Sequence, residues 1–319
     1  MNVLVPLNNL EHLSEYINAG ASEFYIGFYD EAWRQKFGKY IDINRLSGFG
    51  REANPYSFEE VLSLIPRIKD KGQKIYVTFN ASIYSEEQLD EIKNYFLQLK
   101  STEADGVIVS CMELVLLAKE CGLDSVASTI CGIYNSDLAK IYYDAGAKRL
   151  ILPRDLNTKE ICAIAEAVPE AEYEVFMMRN GCAFSDSNCL GFHRTETCAI
   201  CGSLAKAEHD MHLRKENFHT IHSAELNDEL YTNQFHKYTC GLCSIYDFVK
   251  CGISAAKIVG RSDDWEYVCK DISYVYENEK IARQCKTREE YLEKMIFPEG
   301  RKEMCKLGLS CYYPEIRFS

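Results

Sequence analysis

The sequence predicts an α/β protein of the (β/α)8 barrel class, with a cysteine-rich insertion between the seventh and eighth strands. Eight short apolar runs rich in β-branched residues alternate with helical stretches along the chain. The runs are apolar throughout rather than alternating, which is typical of parallel strands that are buried on both faces. The motif Ala-Gly-Ala, at 19–21 and 145–147, twice ends a helix just before a strand.

Each predicted element follows from its own local pattern. The eight predicted strands are, in order, Asn2–Val5, Glu23–Phe28, Lys74–Phe79, Gly106–Ser110, Ser125–Ser128, Arg149–Leu152, Tyr173–Met177 and Ala256–Val259. Helices are predicted at 10–19, 57–71, 86–99, 245–250 and 263–282. The alternative fold is an open doubly wound sheet, but no Gly-rich phosphate loop follows any strand, which weakens its dinucleotide-binding form.

The chain has 319 residues, of which 47% are hydrophobic, enough for one large domain or two small ones with a full core. We expect a barrel domain over residues 1–285 that contains the insertion at 181–243, and a tail at 286–319 packed on the barrel. No apolar run is long enough to span a membrane, and the N-terminus lacks the pattern of a signal peptide. A cytoplasmic protein is expected.

The charge balance is acidic, with 48 Asp and Glu against 36 Lys and Arg and a net charge of −12. Proteins that rely on phosphate contacts usually present a basic surface. We therefore expect a small-molecule or peptide substrate and no nucleic acid.

Six of the 15 cysteines fall in the insertion, and they form pairs. The pairs are Cys182 and Cys189, Cys198 and Cys201, and Cys240 and Cys243. Thiolates in such a pattern suit an iron–sulfur cluster or Zn²⁺, and both need about four ligands. By spacing alone, a Zn²⁺ site on the two CxxC pairs fits equally well.

The other cysteines have simpler interpretations. An odd cysteine count without an export signal makes disulfides unlikely. Single cysteines in apolar surroundings pack as small hydrophobes, which is the interpretation for Cys111, Cys121, Cys162, Cys251 and Cys269. The tail cysteines could join a second site, although their spacing is not diagnostic; they are Cys285, Cys305 and Cys311.

Polar residues that follow the predicted strands are the candidate catalytic groups, because active sites of such barrels lie at the C-terminal ends of the strands. The predicted set is Arg154, Arg179, Asn180 and Arg261, with Asn80, Ser110 and Ser128 at neighbouring strand ends. Three arginines at one mouth indicate an anionic ligand. The alternative is that Arg154 and Arg261 pair with Asp155, Asp263 or Asp264. Two HxxH pairs, at His209, His212, His219 and His222, are expected on a solvated face.

Several segments, in order, resemble the peptidase U-thirty-two (collagenase-like) family over most of residues 1–285. They include VPLNNLEHLSEYINAGASEFYIG, GQKIYVTFNAS, EVFMMRNGCAFSDSNCL and CSIYDFVKCGISAAKIVGR. The resemblance is greatest to the small U-type and V-type subunits of anaerobic ubiquinone synthesis. It implies a barrel, a four-cysteine [4Fe–4S] cluster, O₂-independent hydroxylation with prephenate as oxygen donor, and a heterodimeric partner of the same family.

Carried over by position, Cys182 and Cys189 resemble the first two cluster ligands of the family, and Cys198 or Cys201 the third. Cys240 is similar in position to the fourth, with Cys243 close enough to substitute. Some family positions differ here: Met178-Arg179 stands for His-Gly, Ile130 for Gln and Val259 for Glu. The leading hypothesis is an iron–sulfur hydroxylase of a small molecule or peptide. The alternatives are a peptidase and a non-catalytic iron–sulfur or zinc partner subunit.

Overall fold

The computed structural model describes residues 1–7, 9–38, 42–45, 54–182, 185–189, 238–261, 263–298, 300–306 and 310–316. Eight parallel strands close into a barrel in which each strand pairs with its sequence neighbours and β8 pairs with β1. The predicted (β/α)8 barrel is confirmed. Of the predicted features of the insertion, Cys198, Cys201 and the two HxxH pairs lie outside the described residues.

The strand bounds differ from the prediction by a few residues at most. The strands are β1 Asn2–Pro6, β2 Glu23–Ile26, β3 Lys74–Phe79, β4 Gly106–Val109, β5 Ser125–Ala127, β6 Ala147–Ile151, β7 Glu172–Met178 and β8 Ala255–Ile258. The helices are α1 Leu13–Ala19, α2 Glu31–Phe37, α3 Phe58–Lys69, α4 Glu86–Lys100, α5 Met112–Glu120, α6 Ser136–Ala145, α7 Thr158–Ala167, α8 Ile245–Lys250, α9 Trp265–Gln284, α10 Arg288–Lys294 and α11 Arg301–Lys306.

Local sequence signals fix where the outer helices begin. Ser57, Ser85 and Asn157 cap α3, α4 and α7, each in a capping box with the Glu or Gln three residues later. At the C-terminal end of α1, Gly20 has φ +114°, and a Cβ there would overlap the ring of Tyr276. Only glycine fits this turn, which supports the sequence prediction that Gly20 ends the helix.

The barrel interior holds a layer of charged side chains that the apolar strand pattern did not predict. Arg149 of β6 donates to Glu23 of β2 at 3.0 Å and lies 3.7 Å from Glu174 of β7. Lys257 of β8 donates to Glu174 at 2.7 Å. Strands β2 and β6 are not neighbours, so the Arg149–Glu23 contact crosses the interior. Burial is tolerated because each charge has a partner.

The described part of the C-terminal tail lies against the end of β7. Tyr312 and Tyr313 are buried and donate to the backbone carbonyls of Arg179 and Phe176. Cys311 pairs with Cys240 as a parallel β-bridge, and Cys240 N–H donates to Ser310 at 3.0 Å. These contacts attach the tail to the chain segment that leads into β8.

The expectation that Cys162 and Cys251 are free thiols is wrong in this structure, because a disulfide joins them with their Cα atoms 5.4 Å apart. The bond connects α7 to the residue that ends α8, so it links the two helices that flank β7 and the insertion. Sequence spacing could not reveal it, since the partners are 89 residues apart. Within the described residues, no helix is long and apolar enough to cross a membrane.

Candidate functional site at the barrel mouth

The end of β7 turns sharply at the C-terminal mouth of the barrel. Arg179 and Asn180 both have positive φ, +66° and +46°, a conformation uncommon for residues other than glycine. Arg179 N–H donates to Thr239 at 2.8 Å, and a Cβ on Gly181 would overlap the Thr239 side chain. Contacts with Thr239 hold this strained turn in place, and the turn positions Cys182 at the mouth.

Asp186 organises the centre of this mouth. Its carboxylate accepts from Arg154 Nε at 2.7 Å, from Arg45 Nη1 at 3.0 Å and from Thr129 Oγ1 at 3.2 Å. Burial alone would raise the pKa of Asp186, but Arg154 and Arg45 outweigh burial and lower the pKa. Asp186 therefore stays ionised and holds two arginines in place.

Arg154 is a positioned cation that shares the Asp186 carboxylate with Arg45. Besides Asp186, it donates from Nη1 to the carbonyl of Asn180 at 2.8 Å, and its guanidinium lies 4.1 Å from the centre of the Phe176 ring. Burial acts to lower the pKa of Arg154, but Asp186 outweighs it and raises the pKa. The predicted alternative, a pair with Asp155, does not form; Asp155 accepts from Tyr134 at 3.0 Å.

Arg179 points to helix α9 rather than to the mouth. It forms an ion pair with Asp271 and lies 3.7 Å from Asp263. Burial raises the pKa of Asp271 to about 6, with Arg179 opposing the shift. The amide of its neighbour Asn180 also faces Asp263, at 3.5 Å. The prediction of three arginines that converge on one ligand is therefore not met by Arg179.

Arg261 differs from the other two arginines because no carboxylate of the described residues pairs with it. Its Nη1 donates to the Arg45 carbonyl at 3.1 Å and to Asn54 Oδ1 at 3.0 Å, and its guanidinium lies 5.7 Å from the Tyr25 ring centre. Burial lowers the pKa of Arg261; the Tyr25 hydroxyl opposes this shift and the nearby Arg45 charge adds to it. The predicted alternative pairs with Asp263 or Asp264 do not form.

Gly27 allows this arrangement to lie against the end of β2. A Cβ at Gly27 would overlap both Asn54 Oδ1 and Arg261 Nη1. The second amide atom of Asn54, Nδ2, is buried without a hydrogen-bond partner in the described structure. The unsatisfied Asn54 donor lies beside Arg261, which has no carboxylate partner among the described residues. An anion bound at this position would be stabilised by both groups.

Two of the predicted cluster cysteines lie at this mouth. Cys189 Sγ accepts from Arg45 Nη2 at 3.3 Å, and Cys182 lies near enough to Arg154 and Tyr312 to interact electrostatically with both. Thiolates flanked by guanidinium groups fit the soft, negatively charged ligand set of an iron–sulfur cluster or zinc. The third predicted ligand, Cys198 or Cys201, lies outside the described residues.

Cys240 and Cys243 have other neighbours. Burial, with a smaller effect of the nearby thiols of Cys305 and Cys311, raises the pKa of Cys240 to about 12, although the Leu242 N–H and Arg301 act to lower it. Among the described residues, no three His, Cys, Asp or Glu side chains already converge on one metal position. All six predicted ligands remain predictions. Of the four that the structure describes, Cys182 and Cys189 lie at the mouth, whereas Cys240 and Cys243 lie near the cysteines of the C-terminal tail.

Sequence reasoning missed Arg45, Asn54, Tyr25 and Asp186. Asp186 could have been found, because it lies between Cys182 and Cys189 in the segment that carries the family spacing. Arg45 and Asn54 lie in a stretch after α2 with no periodic pattern, and only the fold brings them to β8.

Curated proteins of several organisms are similar to this chain. An uncharacterized protease of Methanocaldococcus jannaschii is 30% identical over 63% of this chain and 47% of its own length. A 23S rRNA 5-hydroxycytidine synthase of Escherichia coli is 29% identical over 72% and 34%, and a tRNA hydroxylation protein of Helicobacter pylori is 25% identical over 60% and 42%. The chain thus spans about half or less of the length of these relatives.

The relatives named for tRNA and rRNA modification overturn the expectation of a small-molecule or peptide substrate and no nucleic acid. That expectation rested on the net charge of −12. Net charge sums the whole surface, whereas phosphate recognition depends on the local field. Arg45, Arg154 and Arg261 are cations that lie together at the mouth.

The sequence profile described as Peptidase family U32 matches residues 8–307, which is nearly the whole chain. The match covers strands β2 to β8, and it includes the mouth residues described above. The resemblance predicted from the ordered segments is confirmed: the chain belongs to Peptidase family U32.

Proposed function

We propose that this protein takes part in the O₂-independent hydroxylation of an RNA nucleobase, with the chemistry at the barrel mouth. Relatives over 60% or more of the chain are named for hydroxylation of tRNA or for synthesis of 5-hydroxycytidine in rRNA. A barrel mouth lined by charged side chains is the site where such folds carry chemistry.

The observation that carries the proposal is the cationic side chain of Arg261 beside the amide of Asn54. Arg261 is enclosed without a carboxylate partner among the described residues, and Asn54 Nδ2 is buried and unpaired. Leaving the Asn54 donor unmatched costs about 1–3 kcal/mol, so an anion bound here would satisfy that donor and pair with the charge of Arg261. A carboxylate-bearing oxygen donor such as prephenate has the charge for this position.

A [4Fe–4S] cluster is the proposed cofactor. Cys182 and Cys189 would supply two of its thiolates, and Cys198 and Cys201 are the next candidates in sequence. The cluster would supply electron transfer, while the protein supplies orientation. Arg45 and Arg154 would offset the negative charge of the thiolates, and Asp186 would hold both arginines beside the cluster.

The RNA would approach from the same face. Three arginines lie at the mouth of an otherwise acidic protein, and local positive charge attracts phosphate even where the net charge is negative. The chain aligns with 42% of the Helicobacter pylori tRNA hydroxylation protein and 34% of the Escherichia coli rRNA enzyme, so a partner chain or further segment that completes the RNA-binding surface belongs to the proposal.

Complementation of a deletion strain tests the proposal. The deletion strain re-expresses the wild type, Arg261→Ala, Arg261→Lys or Arg67→Ala. Nucleosides from its total RNA are then identified and quantified by mass spectrometry. Arg67 is an exposed arginine on α3 and serves as the matched control. Loss of one strong charged hydrogen bond, about 1.5–3 kcal/mol, predicts a fall of about tenfold or more in the hydroxylated nucleoside for Arg261→Ala.

Arg261→Lys should recover part of the product because it keeps the charge, and Arg67→Ala should restore it fully. Iron content and circular dichroism of each purified variant separate loss of function from loss of fold. A nucleoside profile that is the same for Arg261→Ala and the wild type would show that Arg261 does not bind a reactant.

A peptidase is the second candidate, since two relatives are named as a protease and a collagenase. Within the described residues the single histidine is His12, which stacks on Trp265 with the ring centres 3.9 Å apart. No observation at the mouth favours peptide cleavage over hydroxylation.

A further inference from the structure

We infer that Arg45 raises the reduction potential of the proposed cluster through a hydrogen bond from its guanidinium group to the sulfur of Cys189. The inference rests on the proposed function in one respect, because it takes Cys189 as a ligand of that cluster. Arg45 is a positioning residue in this role, since it acts through Cys189 and not on a reactant.

The guanidinium group of Arg45 lies between a cysteine sulfur and a buried carboxylate. Its Nη2 donates to Cys189 Sγ at 3.3 Å, and its Nη1 donates to Asp186 Oδ1 at 3.0 Å. Asp186 is 2% exposed, so this ion pair is largely shielded from water. A planar guanidinium group that is fixed at one nitrogen by a carboxylate keeps its other N–H group directed at the sulfur.

Further contacts fix the position of Arg45 and of Cys189. The N–H group of Arg45 donates to Asn80 Oδ1 at 3.0 Å, and its carbonyl accepts from Arg261 Nη1 at 3.1 Å. Cys189 is anchored as well, because Ser82 Oγ donates to its carbonyl at 3.2 Å. Residues that follow β3 and β8 therefore hold both partners of the N–H···S contact.

The charges around the mouth cysteines leave a positive excess. Asp186 accepts from both Arg45 and Arg154, so two guanidinium groups share one carboxylate. One unit of positive charge therefore remains near Cys182 and Cys189. It lies where thiolate ligands would bring negative charge, and opposite charges at short range attract strongly in a buried site.

A hydrogen bond to a ligand sulfur affects the potential because an added electron increases the negative charge on the cluster and its sulfurs. The N–H group and the positive charge therefore stabilise the reduced cluster more than the oxidised cluster, which raises the reduction potential. The effect is larger where water is excluded, since the local dielectric is low. Removing the hydrogen bond or the charge should thus lower the potential.

Redox titration of the anaerobically purified full chain, followed by electron paramagnetic resonance, tests the inference. Arg45→Met should lower the equilibrium constant for one-electron reduction about tenfold, which is a fall of about 59 mV in the potential. Arg45→Lys keeps the charge without the two-pronged donor, so its potential should lie between those of Arg45→Met and the wild type. Iron and acid-labile sulfide per chain show whether each variant retains its cluster.

Two control variants separate this role from anchoring of the segment. Ser82→Ala removes a hydrogen bond to the backbone of Cys189 and leaves the contact between its sulfur and Arg45 in place. Arg67→Met removes an exposed charge on α3. Both variants should keep the wild-type potential. A fall in Ser82→Ala as large as that in Arg45→Met would overturn the inference, because anchoring alone would then explain the shift.

An equilibrium constant for Arg45→Met within about twofold of the wild type, or above it, would also overturn the inference. If Arg45→Met does not retain a cluster, the wild type and Arg45→Lys decide. Wild-type protein with isotope-labelled guanidinium nitrogens should show a hyperfine coupling of an arginine nitrogen to the reduced cluster, and Arg45→Lys should lose it. A wild type without this coupling, or a coupling that persists in Arg45→Lys, would contradict the N–H···S contact.

The nucleoside profile tests the proposed function separately. A protein that makes the hydroxylated nucleoside, but whose potential does not depend on Arg45, would leave the proposed function standing and remove this role of Arg45. A potential that depends on Arg45, in a protein that makes no such nucleoside, would do the reverse. Wild-type protein without iron and acid-labile sulfide would overturn both.

Discussion

Replacement of Arg149 by Met removes the cation from the charged layer inside the barrel. Arg149 is 1% exposed, and it contacts Glu23 and Glu174, which are 1% and 0% exposed. In the variant, Lys257 would still pair with Glu174, but Glu23 would keep only Lys74 among the described cations, at 3.5 Å, and the Lys74 side chain is 45% exposed. Removing one partner of a buried ion pair costs about 3–5 kcal/mol, since the remaining charge stays desolvated. We expect a loss of that size in the free energy of unfolding, measured by urea denaturation.

The loss should depend on pH. Burial would raise the pKa of Glu23, but Arg149 outweighs it and lowers the pKa in the native protein. Such a carboxyl stabilises the fold above its unfolded pKa of about 4.3, and this stability is lost as the pH falls. Without Arg149 the same carboxyl has a raised pKa and destabilises the fold until it is protonated. The difference between wild type and variant should therefore be larger at about pH 7.5 than at about pH 5.

Two further variants make the test specific. Glu23→Gln in the Arg149→Met background should recover part of the lost stability, with a coupling of about 0.5–3 kcal/mol. Lys140→Met breaks an exposed ion pair on α6 and should cost about 0.5 kcal/mol or less. A loss below about 1 kcal/mol for Arg149→Met, or a loss independent of pH, would refute the account of the interior layer.

The remaining predictions concern single contacts. Asp186→Asn should destabilise the fold near neutral pH, and the difference from wild type should shrink as the pH falls through the lowered pKa of Asp186, as urea denaturation at several pH values would show. Ser85→Ala removes the cap of α4 and should cost about 1 kcal/mol by thermal unfolding, while Ser63→Ala on the exposed face of α3 should cost little. Cys162→Ser should lower stability by up to about 4–5 kcal/mol, because the disulfide with Cys251 closes a loop of 89 residues; a non-reduced peptide map without the linked pair would contradict this.

The sequence was informative about the barrel because the signals involved are local. A β-branched run such as Lys74–Phe79 and a capping serine such as Ser85 act within a few residues, so strand order and helix starts could be read directly. The predicted strand Glu23–Phe28 ends at Ile26, and the next residue, Gly27, lies where a Cβ would overlap Asn54 and Arg261. That contact joins residues far apart in the chain, and no local pattern reports it.

The candidate site was predictable in part, for the same reason. Arg154 and Arg261 follow strands, so a barrel places them at the mouth. Which of them carries a free charge depends on Asp186, whose partners Arg45 and Arg154 lie 141 and 32 residues away. The paired cysteines stood out by spacing, but the proximity of Cys305 to Cys240 depends on how the tail packs. Net charge was a poor guide to the class of substrate, because phosphate recognition depends on the local field and not on the sum over the whole surface.

The most direct test of the central claim compares the modified nucleosides of total RNA from a strain with this protein and from its deletion strain, both grown without O₂. Mass spectrometry should show one hydroxylated nucleoside that is present with the protein and absent without it, and anaerobically purified protein from the first strain should contain iron and acid-labile sulfide. Identical nucleoside profiles in the two strains would contradict the assignment of this barrel to RNA hydroxylation.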